Sequence, residues 1–577
     1  MLFPLKFDKP AVRALNLRLM TELVRKILSE ALGRMGVSAP ERIEVEVPRE
    51  ESMGDIATPL AMSLARTLKR PPRKIAEEIV EKIGAILGLA GGAEGDFEKI
   101  EIAGPGYINF TFKRESLYRS FSGFLRQGEA FFRKDIGKGR KILIEFVSAN
   151  PTGPLHLGHG RGAALGAALS NLLAAAGFKV TREYYINDAG RQVGLLGESV
   201  FARYQELFGI AYPFPEDGYR GEYVIDIARG IAQAEGDRYK GLEFASPNSD
   251  YFANTACAMM LAVIKTDLEG FGVAFDVWQS EKELYDKNEV PGTIEYLSQK
   301  GFVYEKEGAT WFKATLFGDE KDRVMIKSGG QYTYFASDIA YHKKKVDGGF
   351  DELINIWGAD HHGYIPRVKA ALEALGYEKE RLKVLLVQIV SLLRGGKPVQ
   401  MSKRAGEFVT LREVIEEVGA DTTKFIFLTR KADSHLDFDL EVAKAASAEN
   451  PVYYVQYANA RINSIFRNAA EKGFTVDSDS LGRAGLSPLS EPEETRLIKK
   501  ILLYPAALEA AVQAREPHRI TYYLQELAGM FHPYYNRHRI LADERELSLA
   551  RLSLCMGVGL VLKDGLRLLG VAAPEKM

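Results

Sequence analysis

Apolar positions at helical spacing recur from Ala11 to Gly33, give way to the alternating Ile43-Glu-Val-Glu-Val-Pro48, and return from Ile56 through Leu87. Two more alternating runs follow, EKIEIAG ending at Gly104 and YINFTF ending at Phe112. Spacings of three to four predict helices and alternation predicts strands, so residues 1–115 read as a small α+β domain with its own core. After a linking helix, Lys141-Ile-Leu-Ile-Glu-Phe-Val147 is a near-continuous apolar run, the pattern of a parallel strand buried on both faces. A Gly- and Pro-rich loop from Ser148 to Gly160 and an Ala/Leu-rich helix from Ala163 to Ala176 complete a nucleotide-binding βα unit. The runs Leu353–Trp357 and Lys383–Val390 alternate with helices such as Pro366 to Leu375. They predict a doubly wound, Rossmann-like α/β domain over residues 116–445, its parallel sheet reaching about residue 400. Within it, residues 191–266 read as a helical insertion with a Pro-rich patch at Tyr212–Gly218 and no legible chemistry. From the capping box Thr410-Leu-Arg-Glu413 onward the period is almost wholly helical, with heptad-like stretches at Tyr453–Phe466 and Tyr522–Tyr534. Residues 446–577 are therefore expected to form an all-α bundle, with Thr475–Glu493 as an internal loop.

Composition sharpens this picture in three places. A chain of 577 residues, 46% hydrophobic and 27% charged, exceeds one ordinary core. Its net charge of −1, from 76 basic and 77 acidic residues, excludes a uniformly basic nucleic-acid binder and moves attention to local surfaces. One such surface is Arg66–Lys74, where five of nine residues are basic and a shared face would meet an RNA backbone. The two cysteines, Cys257 and Cys555, are too few and too distant for a disulfide framework or a Cys-rich zinc site. With no signal-peptide core in the opening residues and no long apolar run, a cytoplasmic protein without a membrane or DNA partner is expected.

The candidate chemistry lies in two loops. His156 and His159 stand where a strand hands over to a helix N-terminus, a place that attracts phosphate through backbone N–H groups and the helix dipole. Gly158 between them admits a base or ribose close to the backbone, and imidazole N–H groups donate to phosphate oxygens as charge develops. Without a neighbouring cysteine or the helical His spacing of zinc hydrolases, ATP fits this loop better than zinc. The second loop, Leu392 to Gly406, supplies Lys403 among small residues, placed to clamp a polyphosphate.

HLGH at 156–159 with QMSKR at 400–404 resembles the paired ATP-binding signatures of class I aminoacyl-tRNA synthetases. EFVSANPTGPLHLGHGRGA, TREYYINDAGRQ, FDVWQSE, YTYFASDIAYH, INIWGADHHGYIPR and NPVYYVQYANARI extend the likeness to bacterial arginyl-tRNA synthetases over nearly the whole chain. The resemblance implies His156, His159 and Lys403 as catalytic residues, and Pro154, Gly158, Gly162, Met401, Ser402, Asp360 and His361 as further ATP-site residues. It also implies that Glu281, Tyr334 and Asp338 face the guanidinium of L-arginine, a planar cation that carboxylates match bidentately. Glu145, Ser148 and Asn150, with His156 nearby, would face its α-ammonium and carboxylate. Gln400 stands where the second signature's first lysine often is, and Gly153 where members lacking the later lysine carry one, which agrees with Lys403 as the working residue. The expected activity is two-step ligation of arginine to tRNA(Arg), through arginyl-adenylate with Mg2+ assisting, then transfer to the 2′-hydroxyl of the terminal adenosine. A monomer without bound zinc or any structural metal is expected.

Rival readings attach to particular residues. Asp360-His-His362 after a strand also occurs in metal-dependent phosphoesterases, which need further carboxylate and histidine ligands than this chain places near them. A noncatalytic tRNA-binding relative would be expected to lose its signature loops, and a lysine-specific synthetase would also use carboxylates. For RNA contact, Tyr453, Tyr457 and Arg461 recur every four residues, and Phe531–Arg539, including Arg537, mixes aromatic and basic side chains. By the same resemblance the C-terminal bundle binds the anticodon stem and loop, and the N-terminal domain the tRNA elbow.

Overall fold

The computed structural model describes residues 20–48, 50–88, 95–399 and 409–577. Lys403, Met401 and Ser402, and the first part of the helix expected from Ala11, lie outside these residues.

The N-terminal unit packs the helices Met20–Arg34, Leu60–Leu68 and Pro72–Leu87 on an antiparallel sheet of β1 (Ile56–Thr58), β2 (Phe97–Ala103) and β3 (Tyr107–Phe112), in the order β1-β3-β2. Two expectations are corrected here. The alternating Ile43–Pro48 segment makes only one bridge, Glu46 to Ala57, instead of a strand. The stretch from Ile56 is a strand and two helices: Pro59 precedes the first, and Pro71 and Pro72 start the second, since proline cannot continue a helix interior.

The central sheet is wholly parallel and contains β4 (Lys141–Glu145), β5 (Lys179–Ile186), β6 (Val277–Ser280), β10 (Glu352–Gly358) and β11 (Leu382–Val387). Its order is β11-β10-β4-β5-β6, so the winding direction reverses between β4 and β10, and the crevice beyond their carboxyl ends is the ligand position of such sheets. Ile142, Leu143 and Ile144 of β4 are all buried, as a central strand covered on both faces requires. The helices Arg191–Leu207, Glu222–Glu235 and Asn248–Gly270 of the insertion enclose an apolar cluster of their own, including Phe201, Tyr204 and Phe252. A second antiparallel sheet, β7 (Val303–Lys306), β8 (Ala309–Phe312) and β9 (Arg323–Ile326), follows, for which the apolar pattern gave no warning.

The run Lys383–Val390 is not one strand. It breaks at Gln388 and Ile389, where Gln388 donates its N–H to Ala432 O and its carbonyl accepts from Arg161. The chain then enters β12 (Val390–Arg394), which joins β13 (Lys397–Pro398) and β14 (Leu436–Asp439) in a separate small sheet. The second signature loop therefore leaves this small sheet, not the central one, and the region after Thr410 contains one strand. The rest is mainly helical, with the Pro451–Glu471, His518–Arg537 and Arg545–Leu568 helices in the bundle, and the expected Thr475–Glu493 loop contains a short helix, Ser478–Gly482, and ends where the Pro492–Leu502 helix begins. No helix among the described residues is long and apolar enough to cross a membrane.

Candidate active site

At the end of β4 the backbone is strained. Val147 and Ser148 have φ of 68° and 41°, a costly conformation for a β-branched residue and one that clusters at functional sites. Ser148 Oγ fastens this turn: it donates to Glu145 Oε1 (3.1 Å) and accepts from Tyr185 N (3.1 Å). Beyond it, Asn150 donates to Gln192 Oε1 (2.6 Å), and Ala149 O accepts from the buried Tyr184 hydroxyl (2.8 Å).

The signature helix runs from Leu157 to Ala175, six residues earlier than the Ala/Leu pattern predicts, because His156 is its N-cap. His156 Nδ1 accepts from Gly158 N (3.1 Å), His156 N donates to His159 Nδ1 (3.3 Å), and the two rings stack at 3.7 Å. With both Nδ1 atoms accepting, the ring N–H of each imidazole sits on Nε2. A Cβ on Gly158 would lie 3.0 Å from the His156 ring, so the glycine makes room for the cap itself. Past the second signature, Thr410 bridges to His156 and Leu411 N donates to Leu155 O (2.7 Å), which brings that loop's exit against the first signature.

These residues border a cavity of about 1580 Å3, larger than the ~300–1,000 Å3 of a single small-ligand site. It is lined by His156, Gly158, His159, Gly162, Asp360 and His361 from the ATP set, and by Glu145, Ser148, Asn150, Glu281, Tyr334 and Asp338 from the arginine set. Of the described members of both sets, Pro154 alone does not line it. Tyr334 is 57% exposed at the lip. Asp360 and His361 are also exposed and lie 3.7 Å apart.

The acidic side of the cavity is held very differently. Glu281 is buried at the start of the Glu281–Asp286 helix, and burial, aided by Asp188 and opposed by Ser337, pushes its carboxyl up to about 7. The Asn187 amide, oriented to satisfy its neighbours, donates to Glu281 Oε2 (2.8 Å). Asp338, on the Tyr334–Asp347 helix, accepts from the Tyr364 hydroxyl; burial, with Glu145 and Glu281 adding and Tyr364 opposing, pushes it up to about 7 as well. Neither carboxylate has an ion pair among the described residues. Glu145 is the contrast: burial raises it, but Lys345, at 2.5 Å from Oε2, and further hydrogen bonds outweigh that and hold it below the usual range.

Sequence reasoning missed Tyr185, Asn187, Gln192, Tyr341, His342, Trp357, Gln388 and Ile389 as cavity residues. Gln388 had a signal, as the polar residue in an apolar run. His342 and Tyr341 had none, because only the helix direction turns them inward. In the C-terminal bundle the Tyr453 and Tyr457 rings stack, while Arg461 lies over Tyr457 and Tyr535 and donates to His532 Nδ1 (3.1 Å). Arg537 pairs with Glu493 at 2.8 Å. The one group of three potential metal ligands among the described residues, Glu491, Glu493 and His538, is also in this bundle and does not include Asp360 or His361.

A parallel sheet with its switch point beneath a histidine-capped helix that carries the first signature, in a chain that also contains the second, defines a class I aminoacyl-tRNA synthetase. The family model described as tRNA synthetases class I (R), catalytic domain, matches residues 121–467. The Arginyl tRNA synthetase N terminal domain matches 22–112 and the DALR anticodon binding domain 455–577. The arginine–tRNA ligase of Syntrophotalea carbinolica is 50% identical over 97% of this chain and 100% of its own. That of a Geobacter species is 51% identical over 93% and 95%. The solved arginyl-tRNA synthetase of Thermus thermophilus, 23% identical over 97% of this chain and 100% of its own, shares the fold with a TM-score of 0.75. The chain belongs to the arginyl-tRNA synthetase family; it is an enzyme that charges tRNA with arginine, with ATP as substrate. The phosphoesterase and noncatalytic readings find no support in these relationships.

Proposed function

We propose that both half-reactions take place in the one cavity and that its two sides divide the substrates. On the histidine side, the Nε2–H groups of His156 and His159, the helix N-terminus and Lys403 oppose the charge on the α-phosphate and departing pyrophosphate while the arginine carboxylate attacks in line. Gly158, Gly162, Met401 and Ser402 border the nucleotide, with Pro154 shaping the loop from outside. Mg2+ would arrive with the nucleotide, neutralising phosphate charge, and Asp360, beside His361, is the carboxylate on that lip suited to hold it. On the acidic side, Asp338 and Glu281 meet the guanidinium, with Tyr334 covering it. Asn150 and Glu145, braced by Ser148, meet the α-ammonium; a carboxylate offers about four acceptor sites and Ser148 and Lys345 occupy two. The tRNA 2′-hydroxyl then attacks the adenylate carbonyl and AMP departs.

The observation that carries this reading is the pair of recessed carboxylates, without an ion pair among the described residues, in a cavity that is also bordered by a helix N-terminus. We assign residues 1–115 to the tRNA elbow, 116–445 to catalysis with the insertion at 191–266, and 446–577 to the anticodon stem and loop. Tyr453 and Tyr457, with Arg461 and Arg537, offer stacking faces and cations for that contact. The protein is read as a cytoplasmic monomer without bound zinc, DNA or membrane partner. ATP–pyrophosphate exchange with each amino acid, with and without tRNA, tests the reading. Exchange restricted to arginine and dependent on tRNA is expected; exchange with no amino acid in folded protein would overturn it.

A further inference from the structure

Three polar residues lie in register across the centre of the parallel sheet: Asn355 on β10 opposite Glu145 on β4, and Glu145 opposite Glu183 on β5. All are buried, as is Lys345, which is 3% exposed and reaches them from the Tyr334–Asp347 helix. Its Nζ lies 2.5 Å from Glu145 Oε2, 3.3 Å from Asn355 Oδ1 and 3.6 Å from Glu183 Oε1. Tyr341, one turn earlier, donates to Glu183 Oε1 (2.5 Å), and its ring lies 3.9 Å from Lys345 Nζ.

Of the further titratable neighbours, Asp338 interacts with Glu145 and Lys345 from the guanidinium side, and His342 is neutral. Burial and the nearby Lys345 lower it to about 4, and its ring is spanned by Asn355 Nδ2 at Nε2 and Asp338 O at Nδ1 (both 2.8 Å). Within the ion-paired cluster itself, two carboxylates and one ammonium leave a single buried negative charge beneath the place assigned to the substrate ammonium. A buried charge is stable only when compensated, and the same helix that supplies Lys345 carries Asp338 and Tyr334.

We propose that Lys345 is a positioning residue which, with Glu183, sets the charge under the α-ammonium of arginine to one negative unit, so that the incoming ammonium completes the neutralisation. This rests on the placement of Glu145 at that ammonium. Lys345 does not touch the substrate; it fixes how much charge Glu145 presents and seats the guanidinium-binding helix on the sheet.

Charge and structure separate in a cycle of E183Q, K345M and the double variant, read by KM for arginine and for ATP in aminoacylation and by inhibition with 5-guanidinopentanoate, which is arginine without its α-ammonium. Glu183→Gln removes the excess charge while keeping an acceptor for Tyr341. It is expected to raise the arginine KM about tenfold and to leave the ATP KM and the 5-guanidinopentanoate inhibition constant unchanged. Lys345→Met leaves two adjacent buried carboxylates and is expected to be the most damaged. Combining the two restores one net charge and is expected to bring the arginine KM back to within about threefold of the parent. A double variant as poor as K345M, or one that also fails to fold where K345M does, would overturn the charge-setting role, since lost contacts accumulate and cannot rescue one another. Parallel movement of arginine and 5-guanidinopentanoate would instead overturn the placement of Glu145 at the ammonium.

Discussion

The histidine side of the cavity is built from backbone geometry at the start of one helix: an N-cap, two stacked rings and a helix N-terminus. The acidic side is built from desolvated charge, with Glu281, Asp338 and Glu145 drawn from one strand and two helices onto one recess and Glu183 buried behind it. The difference matters because dipoles at a helix terminus change little with pH, whereas buried carboxylates near 7 exchange protons in the range where the enzyme works. A phosphate can be met by the first kind of site on arrival. A guanidinium, which cannot lose its proton, is selected by the second because it repays the desolvation of two carboxylates at once.

The sharpest way to separate the two sides is His159→Ala. Loss of one preorganised donor to a developing oxyanion slows the chemical step about 10²–10³-fold, so pyrophosphate exchange should fall by that amount while circular dichroism stays unchanged. Near-normal exchange would remove the histidine side from the chemistry. On the acidic side, Asp338→Asn and Glu281→Gln each remove a charged hydrogen bond, and the arginine KM should rise about tenfold to a hundredfold with the ATP KM unmoved. Equal changes in both constants would show that the two sides do not divide the substrates.

The two sides were also unequally legible. His156, Gly158 and His159 are neighbours in sequence, and one strand–loop–helix pattern sufficed to place them. The helix began six residues early because an N-capping histidine carries no apolar signal. The acidic side depends on strand register and helix direction. Glu183 and Lys345 are 162 positions apart, and nothing in the alternation of TREYYIND or in the lysine-rich end of the Tyr334–Asp347 helix says that they meet. The run at Lys383–Val390 misled for a related reason: its apolar continuity was real, but Arg161 takes the carbonyl of Gln388 and those of Lys431 and Ser434, turning the chain into another sheet. Burial without a carboxylate bond lowers the Arg161 guanidinium to about 10. β7 to β9 were missed because four-residue strands with partly exposed faces leave too short a period to detect.

A milder perturbation of the same contrast is pH itself. Glu281 and Asp338 stand near 7 in the free enzyme because burial favours their neutral forms. Bound guanidinium favours the ionised forms and lowers both. Below about 7 the free enzyme therefore holds protons that arginine must displace, and the arginine KM should rise as pH falls, by at most about tenfold per unit for each proton. Asp338→Asn should flatten the profile, because one of the two displaced protons is then gone; an unchanged slope would mean that Asp338 does not face the substrate cation.

The smallest effect concerns the insertion, whose sequence offers no chemistry but whose Glu222–Glu235 helix reaches the first signature loop. Tyr223 donates to Thr152 O (2.8 Å), and a Cβ on Gly153 would lie 3.3 Å from its hydroxyl. The loop that turns from strained Ser148 to His156 is thus held by Tyr184 on Ala149 from the sheet and by Tyr223 on Thr152 from the insertion. Tyr223→Phe removes one hydrogen bond while the ring still covers Gly153, a change of about 0.5–1.5 kcal/mol. If that brace steadies the histidine side alone, the ATP KM should rise about two- to tenfold while the arginine KM holds. A rise in the arginine KM of the same size would mean that the insertion steadies the whole β4 turn, Glu145 included, and that the two sides share a support despite their different chemistry.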